Sequence, residues 1–283
     1  MPHLLKKAVL FCAISVCAVA AEPVAQVAPV APHTPYYRPA TARVRPHLSA
    51  SDVAVVSAAS FLPGISPGGL VTVFGQNLTD VSGTVVAGTD PLPNQLANTS
   101  VLINGRYAPV YAISYANGED QISVQVPYNT PTGPGAAQVE IINYGITVAR
   151  LITDSYDEDP GIFTYQGNYA VALRYPDYSL VGPGNPVVPG DILILFTTGL
   201  GPLSISLRDG YGAPSNPPAI TIDPFQVMVA GRQSKVLFSG LGPGFVGLYQ
   251  INLQLPFDLP AGNLDIQIFS PYANSQLATL PVR

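Results

Sequence analysis

Tryptophan is absent from the 283 residues, and histidine and cysteine occur only before residue 50. The histidines are His3, His33 and His47, and the cysteines are Cys12 and Cys17. Everything after residue 47 therefore lacks both imidazole and thiol. That excludes a Ser-His-Asp or Cys-His nucleophile, a zinc site of the Cys/His type and a disulfide framework. Lysine is almost missing too. Lys235 is the only one after Lys7, so a Ser-Lys pair would rest on a single residue. Residues 51–283 carry seven Lys and Arg against sixteen Asp and Glu. A phosphate backbone needs a basic face, so nucleic acid is not an expected partner.

Proline (30) and glycine (26) are abundant instead. Each proline inside a helix costs roughly 3 kcal/mol, so a helical bundle is excluded. The N-terminus reads as a secretory signal, residues 1–20. Lys6 and Lys7 precede the apolar run Ala8–Ala20, and Ala18-Val-Ala20 fits small-residue cleavage. That run is shorter than the roughly 20 residues of a transmembrane helix, and no later stretch reaches that length. Val16 stands before Cys17, where a lipidated cysteine normally follows a small residue. Residues 21–52 read as a linker, with Pro23, Pro29, Pro32, Pro35, Pro39 and Pro46 spaced among Ala and Val. The expected location is outside the cell or in its envelope.

From residue 53 the chain turns to strand-length apolar or alternating runs punctuated by Pro and Gly, the pattern of an all-β sandwich. Asn104-Gly105 reads as a two-residue hairpin turn, with Arg106–Ser114 returning as the partner strand. A repeat is also visible. Pro67-Gly68 before Leu70–Phe74 matches Pro189-Gly190 before Ile192–Phe196. Val101–Arg106 matches Val227–Arg232. Gln121–Tyr128 matches Gln250–Phe257. The order is preserved while the offset drifts, as loop insertions make it drift. The expectation is two copies of one β-sandwich, at 53–155 and 160–283, each long enough to bury a core.

Ser57–Phe61, Pro67–Gly75, Gln121–Pro127, Pro160–Phe163, Thr198–Pro202 and Gly244–Asn252 carry a family resemblance. In this order they resemble an uncharacterised family of secreted, Solibacter-type β-domains known mainly from acidobacterial proteins. The first half is also similar to IPT/TIG immunoglobulin-like domains, through its Pro-Gly-Gly turn entering a strand and Gly75-x-Asn77-Leu78 leaving it. The resemblance covers residues 55–283. It implies tandem immunoglobulin-like (IPT/TIG-like) sandwiches and brings no catalytic residues. One departure stands out: the segment before Pro160, usually small and apolar, is Asp154-Ser-Tyr-Asp-Glu-Asp159.

Two motifs are refused on context. Gly64-Ile-Ser66-Pro-Gly68 has the spacing of a nucleophile elbow, but it leads into a strand and has no histidine partner. Gly242–Gly247 has dinucleotide-loop spacing, but it opens a strand where such a site opens a helix, and it reads as a flexible turn. The acidic group Asp154, Asp157, Glu158 and Asp159 is the candidate metal site, for Ca²⁺, which favours clustered oxygens. The alternative there is a solvated acidic linker. Tyrosines such as Tyr107, Tyr111, Tyr115, Tyr128 and Tyr144 offer either sugar-stacking faces or ordinary packing. The expected function is a non-catalytic adhesion, spacer or accessory module whose partner is a surface protein or polysaccharide. The alternatives are a carbohydrate-binding module and a carboxylate-based glycoside hydrolase.

Overall fold

The computed structural model describes residues 53–283. The signal and linker expectations, and all the histidines and cysteines, lie outside the described residues. The described chain is all-β. Its first nine strands are β1 (Ala54–Ser57), β2 (Leu70–Gly75), β3 (Thr84–Val86), β4 (Thr99–Ile103), β5 (Arg106–Ala108), β6 (Val110–Ala116), β7 (Glu119–Gln125), β8 (Gly133–Asn143) and β9 (Ile146–Ser155). They form one sheet in the order β1-β2-β7-β6-β3 and a second in the order β5-β4-β8-β9. With the short extra strands set aside, this is the ABED/CFG arrangement of an immunoglobulin-like sandwich.

The remaining strands are β10 (Gly161–Ile162), β11 (Thr164–Tyr165), β12 (Tyr169–Ala170), β13 (Ala172–Tyr175), β14 (Ser179–Leu180), β15 (Ile192–Thr198), β16 (Gln226–Val229), β17 (Arg232–Leu241), β18 (Tyr249–Gln254), β19 (Gly262–Phe269) and β20 (Ala278–Val282). Here β13-β15-β18-β17 and β16-β19-β20 repeat the two layers. The layers are hydrogen-bonded into one continuous sheet because β17 pairs with β16 at its start and with β18 at its end. In the first sandwich the same path is cut at Pro109, which separates β5 from β6. Proline has no N–H to carry the ladder across. Arg106–Ser114 is therefore two strands in different sheets, where the sequence reads as one.

The repeat holds at the level of register. Leu70 pairs with Gln125 and Phe74 with Gln121; Ile192 pairs with Gln254 and Phe196 with Gln250. Both copies carry a bulge at the same point, between Val110 and Ala112 and between Val236 and Phe238. Both hairpins turn on two positive-φ residues, Asn104-Gly105 and Ala230-Gly231. Such turns match the right-handed twist of their strands. The equivalent inward positions are all buried: Val71, Val101, Ile122 and Val139 in the first core; Leu193, Val227, Ile251 and Ile266 in the second. Each such side chain contributes roughly 1.5–3 kcal/mol.

The two sandwiches share a buried boundary. Ala58 and Ala59 pack with Phe163, Phe196 and Leu248, while Ala87, Leu92 and Tyr111 pack with Val246. Several hydrogen bonds cross this boundary, while Gln125 Nε2 and the Tyr128 hydroxyl are buried there without a hydrogen-bond partner of normal length. Thr198 Oγ1 accepts from Leu70 N (2.8 Å) and donates to Gly247 O (3.1 Å). The Tyr111 hydroxyl donates to Val246 O (2.7 Å) and accepts from Val246 N (3.2 Å). Gln125 Oε1 accepts from Gly210 N (2.7 Å), and Asp209 Oδ1 accepts from Tyr128 N (2.8 Å). The Gly242–Gly247 loop turns on the positive-φ Gly244 and Gly247, as its composition indicates, and it also packs between the sandwiches.

Candidate functional site

The acidic segment between β9 and β10 runs along this boundary, and its backbone is seated on the glycines of Thr198-Gly-Leu-Gly-Pro202. A Cβ on Gly199 would lie 2.2 Å from Asp159 O, and one on Gly201 would lie 2.9 Å from Asp157 O. Both glycines have positive φ, at 73° and 78°. That motif therefore has a packing explanation: only a residue without a side chain admits the acidic strand so closely.

The four acidic side chains do not form a metal-holding group. Asp154 Oδ1 accepts from Gly135 N (2.8 Å) and its Oδ2 from the Tyr156 hydroxyl (3.0 Å). Asp157 and Asp159 are buried, with Asp157 O accepting from the Ser66 hydroxyl (3.4 Å) and Asp159 N donating to Gly199 O (2.9 Å). Among the described residues no three or more Asp, Glu, His or Cys side chains are gathered so as to hold a metal ion. A solvated linker is equally far from what is found, since Asp157, Glu158 and Asp159 are all buried.

Glu158 is the unusual member. It has no exposed surface, and neither carboxyl oxygen has a hydrogen-bond partner of normal length. Ser270, beyond β19, and Asp223, before β16, lie close enough to act on it. Burial pushes its carboxyl up to about 7. The Ser270 hydroxyl pulls the other way, while Asp223 and then Asp157 add to the rise. A buried carboxyl facing a like charge holds its proton more tightly, because its ionised form is poorly solvated and repelled. A raised carboxyl is also the mark of a general acid. A sugar cannot reach this one, because the side chain is sealed by its own chain. The spacing of the four acidic residues signals none of this, since Asp223 is 65 positions away from Glu158 and meets it through the fold alone.

The tyrosines divide. Tyr107, Tyr115 and Tyr144 are exposed, whereas Tyr111 is buried and the Tyr128 hydroxyl is enclosed. The second sandwich exposes aromatics the sequence reading passed over: Tyr175, Tyr178 and Phe257. Tyr175 and Tyr178 meet edge to face with ring centroids 6.0 Å apart. Ser66, in the refused elbow, is a buried residue of the turn into β2. Among the described residues no helix is long and apolar enough to cross a membrane.

No protein-family model matches the chain, and no curated protein matches it. Solved structures match only distantly. SGBP-B of the Bacteroides ovatus mixed-linkage glucan utilization locus, in complex with a mixed-linkage heptasaccharide, is 10% identical with a TM-score of 0.31; the match covers 78% of this chain and 42% of that one. The adhesin InvE of Yersinia pseudotuberculosis is 9% identical with a TM-score of 0.21, covering 81% of this chain and 58% of that one. Domains 5–6 of the S-layer protein SbsC are 11% identical with a TM-score of 0.22, covering 82% and 96%. At these scores the likenesses carry no argument, and the architecture rests on the strand order itself.

Proposed function

We propose that this protein is an exported, non-catalytic module of two tandem immunoglobulin-like units, 53–155 and 160–283, that acts by contact in adhesion, spacing or display at the cell envelope or beyond. The observation that carries this reading is the boundary between the units. It is buried and apolar side chains from both units pack across it, and backbone and side-chain hydrogen bonds cross it, an arrangement that would hold the two sandwiches as one body. Stiffness along a tandem array suits a spacer or a presented surface, and independent hinged domains would not need it. The chemistry available points the same way. The described residues contain neither histidine nor cysteine, and the one carboxyl with a strongly raised pKa is sealed from substrate. Export rests on the order of charge, apolar run and small residues in 1–20.

A glycan-binding role is the second reading, favoured by exposed Tyr175, Tyr178 and Phe257 on one sandwich. The test is a glycan array probed with the protein from Ala21 onward, beside a hydrolysis assay on the same polysaccharides. Binding without turnover supports the second reading. Silence in both supports the structural one. Turnover of any glycan overturns both.

A further inference from the structure

The repeat allows each surface of one sandwich to be compared with its counterpart on the other. At the end of the first sandwich, Ala58, Leu70, Gln125 and Pro109 lie in one row across the sheet. The second sandwich covers this row. Leu70 and Ala58 pack with Leu248, Gln125 accepts from Gly210 N, and Gly210 sits against Pro109. Tyr111, on the adjoining bulge, is 4% exposed beneath Val246.

The counterpart row on the second sandwich is Tyr175, Ile192, Gln254 and Lys235, paired in the same registers. It is less covered: Tyr175 and Lys235 are exposed, and Ile192 and Gln254 are half-buried. Tyr175 is 50% exposed, Leu237, the counterpart of Tyr111, is 46% exposed, and Phe257, the counterpart of Tyr128, is 78% exposed. Phe257 lies over Gly190 as Tyr128 lies over Gly68, with a Cβ on either glycine meeting the ring at 2.5 and 2.3 Å. The same shape is thus dry at one copy and open at the other. Large apolar side chains grouped at one end mark an interaction surface.

We propose that this end of the second sandwich is a docking surface for another copy of this chain, which presents the leading end of its first sandwich. The body that already fills the first copy of this surface is an immunoglobulin-like unit, and the repeat supplies a second such unit. The part that docks internally is the β17–β18 loop with the neighbouring Asp209-Gly210 turn. Its first-sandwich counterpart is the β6–β7 turn at Asn117-Gly118, which is exposed beside exposed Tyr115. Charge fits as well. Lys235 stands exposed with no ion pair among the described residues. The leading end carries Asp80 and Glu119 and has no Lys or Arg between residues 53 and 105. A contact between unlike ends is heterologous, so repetition builds an open chain and not a closed dimer. This deepens the structural reading of the protein as a spacer or display element, and that reading survives if the ends do not join.

The test is sedimentation velocity on the protein from Ala21 onward, over a concentration series and at two salt concentrations. The expected result is a mass that rises past two copies and falls when salt is raised. Phe257→Asp, and separately Leu237→Asp, spoil one end; Tyr115→Asp spoils the other. Each variant alone is expected to remain monomeric, with association weakened about tenfold or more. A mixture of Phe257→Asp and Tyr115→Asp is expected to form a one-to-one pair and stop, because one good end of each kind remains. Near-ultraviolet circular dichroism establishes that each variant is folded. A wild type that is monomeric throughout, a mass that stops at two, or a mixture that stays monomeric overturns the proposal. Glycan binding lost in Phe257→Asp while the wild type stays monomeric also overturns it, and assigns the patch to sugar.

Discussion

Replacing Glu158 by glutamine is expected to stabilise the protein increasingly between about pH 4.5 and 7, fully above neutral pH, and to leave it nearly unchanged below pH 4.5. The folded-state carboxyl is raised from 4.5 to about 7, chiefly by burial, with Asp223 and Asp157 adding to the rise. The folded state therefore holds a proton that the unfolded chain releases between those two values. A raised folded pKa gives a contribution that is whole below 4.5 and is lost as pH climbs through 7. Each pH unit in that window is worth roughly 1.4 kcal/mol, which gives about 3 kcal/mol by pH 8. Asp223 is only partly buried, and solvent screening there reduces the expectation to about 2 kcal/mol. Glutamine keeps the shape, never ionises, and offers its amide N–H to Asp223. Urea unfolding followed by circular dichroism at pH 5, 6, 7 and 8 measures the difference. The two proteins are expected to differ least at pH 5, to separate between pH 5 and 7, and to keep that difference to pH 8, with the variant the more stable. Parallel pH profiles would refute the buried proton. A variant less stable at pH 8 would mean that an ionised Glu158 makes a favourable contact.

Three further outcomes follow from the same geometry. Tyr111→Phe removes a hydroxyl that both donates to and accepts from Val246, so a loss of about 1–3 kcal/mol in the same urea assay is expected. Gly199→Ala places a methyl 2.2 Å from Asp159 O at a φ of 73°. A backbone penalty of about 1–2 kcal/mol adds to that clash, and a thermal midpoint lowered by several degrees is the readout. Ala230→Asn goes the other way. Ala230 holds a φ of 47° where the first copy has Asn104, whose side chain accepts from Gln138 N and donates to Ala136 O. A gain of about 0.5–1 kcal/mol is expected, and no gain would mean the second hairpin does not share the strain of the first.

Strand positions, the duplicated turns and the inward faces are written in local chemistry. Alternation has a period of two, Asn104-Gly105 selects its turn by φ, and Pro109 or Lys235 decides whether a strand runs on. The strands at Leu70–Phe74, Gln121–Val126, Gln250–Leu255 and their repeat partners were legible from the residues; the long hairpin of β8 and β9 and the cut at Pro109 were not. Tertiary structure decided which copies of those features meet water. Tyr111 and Leu237 occupy the same bulge, and only the placement of Val246 makes one buried and the other exposed. Glu158 reads as one charge in an acidic linker until Asp223 and the Gly199–Gly201 turn close around it. Burial and pKa depend on what distant segments displace from around a group, and the spacing of residues along a chain does not encode that.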